Sequence, residues 1–315
     1  MTSTPDAGDR SVVPWMVAGA AILALLLLLV WHFARNANPA QELALKASRV
    51  DLVGRMQLAL ASAAEAEKSA VLAITDQDSQ TFADQARAAD AEVERERQEL
   101  GTLLARGGTQ REKDLATQFS RAFGDLQRID DEVLRLAVQN TNLKAYALAF
   151  GPAADALAEM DASLARVVAR HAGSPDAKRV VLLASGARIG VLRIQTLLAP
   201  HIAEESDAKM DRLEASMARE ATEVRKDLDA LAALPALKGD ADLAAAAASF
   251  ARYGEVRARI LALSRENTNV RSLSLSLDQK RKAMILCLDA LNALRQAILE
   301  EPIAGVTYGR PVSPR

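Results

Sequence analysis

The sequence is poor in several residue types that other fold classes require. It has one cysteine in 315 residues, which excludes an intrachain disulfide, and only 3% of its residues are aromatic. Since β-sandwiches and β-barrels rely on aromatic and β-branched side chains, this composition argues against them. The net charge of −2 provides no strong field for a nucleic-acid partner, so none is predicted.

Alanine and leucine make up most of the hydrophobic half of the chain, which is typical of helices packed on helices. With only 15 glycines and 10 prolines, long stretches also run without a helix breaker. We therefore predict an all-α protein with coiled-coil-like packing between its helices.

An uncharged segment near the amino terminus, Val12–Phe33, begins after a polar tail. It is about 22 residues long, enough to cross a hydrocarbon core of roughly 30 Å. Trp15 and Trp31 bracket it, as residues at the two membrane interfaces do. We predict a disordered tail over residues 1–11 and a transmembrane helix over residues 12–34.

The tripeptide Asn-Thr-Asn occurs twice, at Asn140–Asn142 and at Asn267–Asn269, 127 residues apart. Apolar residues keep the same register around both copies, as in the pairs Phe123/Phe250, Ile129/Val256 and Leu164/Leu291. A period of this length suits a duplicated domain better than a solenoid. We predict two tandem antiparallel four-helix bundles over residues 40–172 and 177–301, followed by a loose tail over 302–315. In the second bundle the predicted helices are Ala177–Ala203, Asp207–Leu234, Asp240–Glu266 and Val270–Glu300.

Two interpretations of the Asn-Thr-Asn segments remain open. Asparagine tolerates a left-handed conformation and caps helix N-termini, which favours a turn. The seven-residue spacing of Leu136, Leu143 and Phe150 favours an unbroken helix instead. A turn gives helices of matched length, so we predict turn or cap roles for the asparagines: Asn140, Asn142, Asn267 and Asn269.

Two further signals concern helix ends. Thr109 and Glu112 have the spacing of a capping box at the start of the third long helix. Gly151-Pro152 predicts a kink in the helix that follows the first Asn-Thr-Asn segment.

The sequence offers little catalytic chemistry. It contains no C-x-x-C-H, P-loop or G-x-S-x-G motif. His201 stands near Glu204 and Glu205, but a surface histidine is the simpler prediction than a metal ligand. Cys287 lies among leucine and isoleucine and is predicted to be a small buried hydrophobe. We predict no enzyme activity, no metal site and no cofactor.

Four arginines on amphipathic helices are candidate ligand-binding residues: Arg49, Arg55, Arg188 and Arg193. Arg188 and Arg193 have apolar neighbours, and an arginine that emerges from an apolar face can hold a carboxylate through two hydrogen bonds. The alternative is that these side chains snorkel at the edge of the core.

The segments Leu136–Leu148 and Leu263–Leu275, together with Ser79–Arg87, resemble the four-helix-bundle sensor domain of bacterial methyl-accepting chemotaxis receptors. The resemblance implies a helical body outside the cytoplasm that binds a small molecule and forms a homodimer or contacts a partner receptor or kinase. The distribution of basic residues around Val12–Phe33 weakly favours a cytoplasmic body instead. We give the resemblance more weight in predicting the orientation. The sequence lacks the second span and the cytoplasmic signalling hairpin of such receptors.

The function implied is a sensory, ligand-binding module in chemotaxis or another signal transduction pathway, anchored in the inner (cytoplasmic) membrane with a periplasmic body. A structural alternative is a membrane-anchored helical scaffold that presents a surface for protein interaction.

Overall fold

The computed structural model describes Val17, Gly19, residues 21–28 and residues 39–302. The described residues form helices and connecting turns without a β-strand, which confirms the all-α class. The predicted tail over 1–11 lies outside the described residues, as do all but the first residue of the predicted tail over 302–315 and most of Val12–Phe33. Within that segment, Val17, Gly19 and residues 21–28 are helical and exposed.

Residues 39–302 contain ten α-helices. They are α1 (Pro39–Leu72), α2 (Asp76–Gly107), α3 (Gln110–Ala137), α4 (Thr141–Phe150), α5 (Pro152–Arg170), α6 (Ala177–Ala203), α7 (Asp207–Ala232), α8 (Ala241–Glu266), α9 (Thr268–Leu275) and α10 (Arg281–Glu300). A 3₁₀ turn, Pro235–Leu237, precedes α8, and a π-helical turn, Ser276–Lys280, joins α9 to α10. The helices predicted for residues 177–266 agree with α6, α7 and α8 to within two residues at each end.

The chain divides into two compact units. The first comprises residues 1–57, 94–119 and 289–315, and the second comprises residues 58–93 and 120–288. In the first unit, the Lys46 ammonium donates to the carbonyl oxygens of Leu299 and Glu301 at 2.8 and 2.6 Å. A lysine there stabilises the end of α10, where the last carbonyls of a helix lack amide partners.

The larger core of the second unit is built by α4 to α8. Ala149, Met160, Ile194, Val224 and Tyr253 are fully or almost fully buried in it. The helices that contribute to it come from both copies of the repeat, since α4 and α5 follow the first Asn-Thr-Asn segment and α6 to α8 precede the second.

A second core in the same unit joins α1, α2 and α3. It contains Ala70, Ala83 and Val133, and Leu275 of α9 packs against it. The last segment of each repeat therefore packs with the first three helices of the other repeat. This differs from the predicted modules 40–172 and 177–301, because an apolar stripe marks a buried face without specifying the helices that cover it.

One described helix, α6, is long and apolar enough to cross a membrane by length and composition alone. Nine of its residues are buried, Val191, Ile194 and Leu198 among them, in the core shared with α5, α7 and α8. The core of a water-soluble helical domain produces the same pattern, so α6 adds only weak evidence for a membrane protein.

The predicted capping box is present at the start of α3. The backbone amide of Thr109 donates to Glu112 Oε2 at 2.9 Å, and the amide of Glu112 donates to Thr109 Oγ1 at 3.2 Å. At Gly151-Pro152, where the sequence predicts a kink, the helix is interrupted, since α4 ends at Phe150 and α5 begins at Pro152.

We expect Thr109→Ala to lower the free energy of unfolding by about 1 kcal/mol, because the amide of Glu112 loses its acceptor. Chemical denaturation of the full chain measures the change. Thr102→Ala is the matched control, since the Thr102 hydroxyl is exposed and only donates to the carbonyl of Gln98. Equal effects of the two substitutions would contradict the capping role.

Candidate functional site

The two Asn-Thr-Asn segments meet in the second unit and form the junction, defined here as Asn140–Asn142 with Asn267–Asn269. Asn140 and Asn267 have left-handed backbones, with φ of 51° and 55°. Asparagine enters this conformation more readily than most residues. The helices are therefore interrupted at both segments, as in the first of the two interpretations above.

Backbone amides and side chains exchange hydrogen bonds reciprocally across the junction. The amide of Thr141 donates to Thr268 Oγ1 at 3.2 Å, and the amide of Thr268 donates to Thr141 Oγ1 at 3.1 Å. The amides of Asn142 and Asn269 each donate to the other residue's Oδ1 at 3.1 Å. Four amides at the start of α4 and α9, which have no partner within their own helices, are satisfied in this way.

The asparagine side chains also cross between the repeats. Asn142 Nδ2 donates to Asn267 Oδ1 at 2.7 Å, and Asn269 Nδ2 donates to Asn140 Oδ1 at 2.9 Å. Asn267 Nδ2 donates to the carbonyl of Glu204 at 2.8 Å. The side chains of Asn140 and Asn267 do not cap their own helices, so the predicted cap role is replaced by contacts between repeats.

We expect Thr141→Val to lower the free energy of unfolding by roughly 1–3 kcal/mol, because the buried amide of Thr268 loses its acceptor. Thr268→Val should act similarly. In a double-mutant cycle, measured by denaturation, the two changes should be non-additive by about 0.5–3 kcal/mol. Thr196→Val, at an exposed hydroxyl that bonds only within α6, serves as the control. Additive effects would show that the two hydroxyls do not interact.

A second polar group of the same unit is the ion cluster, defined as Glu67, Asp90, Asp130 and Lys280. Lys280 is only 3% exposed, and its ammonium lies 2.8 Å from Glu67 Oε2 and 2.9 Å from Asp130 Oδ1. Glu67 Oε1 and Asp90 Oδ1 are buried and accept no hydrogen bond. Two carboxyl groups thus contact one buried ammonium, and a third, that of Asp90, lies close enough to be influenced by their charges.

Protonation compensates this imbalance of charge. Burial raises the pKa of Asp90 to about 7, with a further contribution from the charge of Asp130. Burial also raises the pKa of Asp130 to about 6, although Lys280 opposes the shift. Glu67 and Asp131 raise both pKa values further. The cluster therefore changes its proton content close to neutral pH.

Lys280 is the last residue of the π-helical turn Ser276–Lys280. Such turns insert an extra residue into an α-helix and often occur at functional sites. Cys287 lies one to two turns further along α10, fully buried as predicted, and burial raises the pKa of its thiol to about 12. The charges of Asp130, Asp125 and Asp90 contribute to that shift.

The raised pKa values predict that stability falls as pH rises. Asp90 and Asp130 hold protons in the folded protein above pH 4, where the unfolded chain has released them, so their contribution is lost between about pH 4 and pH 7. We expect Asp90→Asn to remove a part of this loss, on the order of 1 kcal/mol. Denaturation at pH 4.5, 6 and 7.5 gives the comparison, with the exposed Asp84→Asn as control. An unchanged pH profile in Asp90→Asn would refute the assignment.

Each of the four predicted ligand arginines already faces a carboxylate. Arg188 binds Asp161 through two hydrogen bonds of 2.5 and 3.1 Å, and Arg193 lies 3.6 Å from Glu220. Arg55 lies 3.2 Å from Asp51 and 3.6 Å from Glu96. These three side chains are at least one third exposed. Ion pairs of this kind stabilise the folded state by little.

Arg49 differs from these three because it is 7% exposed and lines a cavity. Its guanidinium lies 2.8 Å from Glu112 Oε2 and 3.4 Å from Glu301 Oε2. The cavity, of about 340 Å³, is also lined by Lys46 and Arg106. A ligand carboxylate could bind Arg49 there by displacing the longer of its two ion pairs.

The structure overturns the expectation that His201 lies on the surface. The imidazole is fully buried, with Nδ1 at 2.8 Å from Ser264 Oγ and Nε2 at 2.8 Å from Glu214 Oε1. The hydrogen bond from Arg265 holds the pKa of Glu214 below its usual value, with His201 contributing. The sequence around His201 gave no sign that Glu214 of α7 and Ser264 of α8 would contact this residue of α6.

The part of the chain that the structure describes contains no group of three or more His, Cys, Asp or Glu residues that could hold a metal ion. Known proteins give no further guide to the site. No protein-family model matches the chain, and no curated protein matches its sequence.

Proposed function

We propose that this chain is a sensory module of chemoreceptor type. In this proposal Val12–Phe33 anchors it in the inner membrane and the helical body forms two four-helix bundles in the periplasm. A bound solute would change the state of the bundles, and a partner receptor or kinase, or a second copy of the chain, would receive that change. The resemblance of Leu136–Leu148 and Leu263–Leu275 to chemoreceptor sensor domains supports this assignment.

The observation that carries the proposal is the ion cluster. Buried ion pairs generally stabilise a protein less than well-packed apolar residues of the same volume. The register of the repeat places Ala153 where Lys280 lies, and Ala153 is fully buried. The other copy of the repeat thus packs that position with an alanine, so the lysine is not needed to build the fold. A buried lysine that costs stability and has no counterpart in the other copy suits a switch better than a spacer.

The surroundings of Lys280 suit a change of state. A π turn can revert to a regular α-helix when the register of the helix shifts by one residue. Such a shift would rotate Lys280 relative to the carboxylates of Glu67 and Asp130. Protons on Asp90 and Asp130 would offset the charge left behind. We propose that solute binding biases this equilibrium, and that α10 carries the change towards residue 300.

The second candidate function, a scaffold, is favoured by one observation. An apolar groove of about 430 Å³ runs along α1 and α10, lined by Ala61, Ala64, Leu72, Met284 and Leu288 among others. Leu72 is 69% exposed. A partner helix with an apolar face would bury such a groove.

A solute screen on the full chain in lipid nanodiscs separates the two functions. A solute at 100 times its dissociation constant should raise the free energy of unfolding by about 2.7 kcal/mol and alter hydrogen exchange of residues 276–280. The triple variant Glu67→Met, Asp130→Leu, Lys280→Met should be as stable as the wild type or more stable, by roughly 0–4 kcal/mol, because apolar residues replace the whole ion group. It should still bind the solute while losing the change in exchange. Lys226→Ala, at an exposed ion pair with Glu223, is a matched surface variant.

Two outcomes would refute the sensory proposal. One is a screen in which no solute shifts the melting temperature while a single protein co-purifies in stoichiometric amount, which would favour the scaffold. The other is a solute whose effect on residues 276–280 is the same in the wild type and in the triple variant.

A further inference from the structure

A surface groove of about 570 Å³ lies between α7 and α8 in the second unit. On α7 it is lined by Arg225 and Asp229, and on α8 by Phe250, Gly254 and Arg257. A Cβ atom added at Gly254 would meet no atom within 4 Å, so the space above this residue is open. The groove has the size and the mixture of apolar and charged groups of a small-molecule site.

Arg257 is half-buried in the wall of this groove. Its Nη1 nitrogen is buried and has no hydrogen-bond partner. Burial lowers the pKa of the Arg257 guanidinium, and the like charge of Arg225 lowers it further. Among the residues the structure describes, no carboxylate forms an ion pair with Arg257. An unpartnered buried donor of this kind destabilises the folded protein, and more so when it is charged.

Comparison of the two copies of the repeat shows that Arg257 lacks a counter-charge. In the register set by Phe123/Phe250 and Ile129/Val256, Arg257 corresponds to Asp130. Both copies therefore place a charge at the same turn of the helix before the junction. Asp130 is neutralised by Lys280, whereas the position that corresponds to Lys280 is Ala153. The second copy thus supplies Lys280 as the counter-charge of Asp130, whereas the first copy supplies only Ala153 at the position that would serve Arg257.

We infer that the groove binds a small organic monocarboxylate, whose carboxylate accepts two hydrogen bonds from Arg257 and whose apolar body packs on Phe250 and Gly254. A guanidinium presents two parallel donors that match a carboxylate. Asp229 and Glu255 also line the groove, and their charges disfavour phosphate and dicarboxylates. This inference rests on the ligand-binding part of the proposed sensory function and assigns a site to it.

Benzoate, an aromatic monocarboxylate, is the probe, with acetate and inorganic phosphate as comparisons and sodium chloride to match ionic strength. Calorimetry and thermal melts of the full chain should show saturable binding of benzoate, weaker binding of acetate and none of phosphate. Arg257→Met should weaken benzoate binding at least about tenfold. Without benzoate this variant should melt no lower than the wild type, because it removes an unpartnered buried donor. A purely structural role of Arg257 would instead lower the melting temperature.

Two further variants distinguish a loss of binding from a loss of folding. Gly254→Leu fills the open space of the groove and should abolish binding while raising the melting temperature, because leucine favours a helix more than glycine does. Arg259→Met, at an exposed arginine of the same helix, should leave binding unchanged.

The site is refuted if benzoate does not bind, or if it binds Arg257→Met as tightly as the wild type. The second result would leave the sensory proposal standing, since that proposal is tested separately by hydrogen exchange at residues 276–280. Equal binding of benzoate and phosphate would also refute the site, because it would show attraction by charge alone.

Discussion

The arrangement of the second unit depends on the reciprocal hydrogen bonds between Asn140–Asn142 and Asn267–Asn269. At this point four helices end or begin, and their terminal amides would be unsatisfied if they were buried without partners. Each repeat supplies the acceptors that the other needs. Because the bonds are exchanged between residues 127 positions apart, neither copy of the motif is complete without the other.

This exchange explains why the duplicated sequence does not fold as two consecutive domains. The segment after Asn140 packs in the core of α6 to α8, and Leu275 after Asn267 packs in the core of α1 to α3. The left-handed residue at each segment ends one helix and lets the next begin in a different core. The hydrogen bonds of the four threonine and asparagine amides at the junction then fix where α4 and α9 begin.

The two copies of the repeat have also diverged in their buried charges. Asp130 and Arg257 occupy the same position of the repeat and carry opposite charges. The first is compensated by Lys280 and by protonation. The second has a buried nitrogen without a partner, next to an open groove. The same position of the repeat is thus ion-paired in one copy and an uncompensated cation in the other.

Local signals in the sequence anticipated the helices well, since caps and breaks depend on a few neighbouring residues. The capping box at Thr109 and the break at Gly151-Pro152 are examples, as are the bounds of α6. Candidate site residues fared differently. Arg49 does line a cavity, but its partners Glu112 and Glu301 are 63 and 252 residues away. His201 is buried because Glu214 and Ser264 come from neighbouring helices to meet it.

The amino-acid sequence by itself determined the helical class, the position of most helix ends and the existence of an internal duplication. These follow from periodicity, from turn residues and from composition, all of which act over one or two turns of chain. Only the tertiary structure decided which helices share a core, and which of the many charged side chains are buried together. Those outcomes depend on contacts between residues that are far apart in sequence. The free energy of burying a charged side chain is set by the groups that surround it in space, and its place in the sequence does not reveal them.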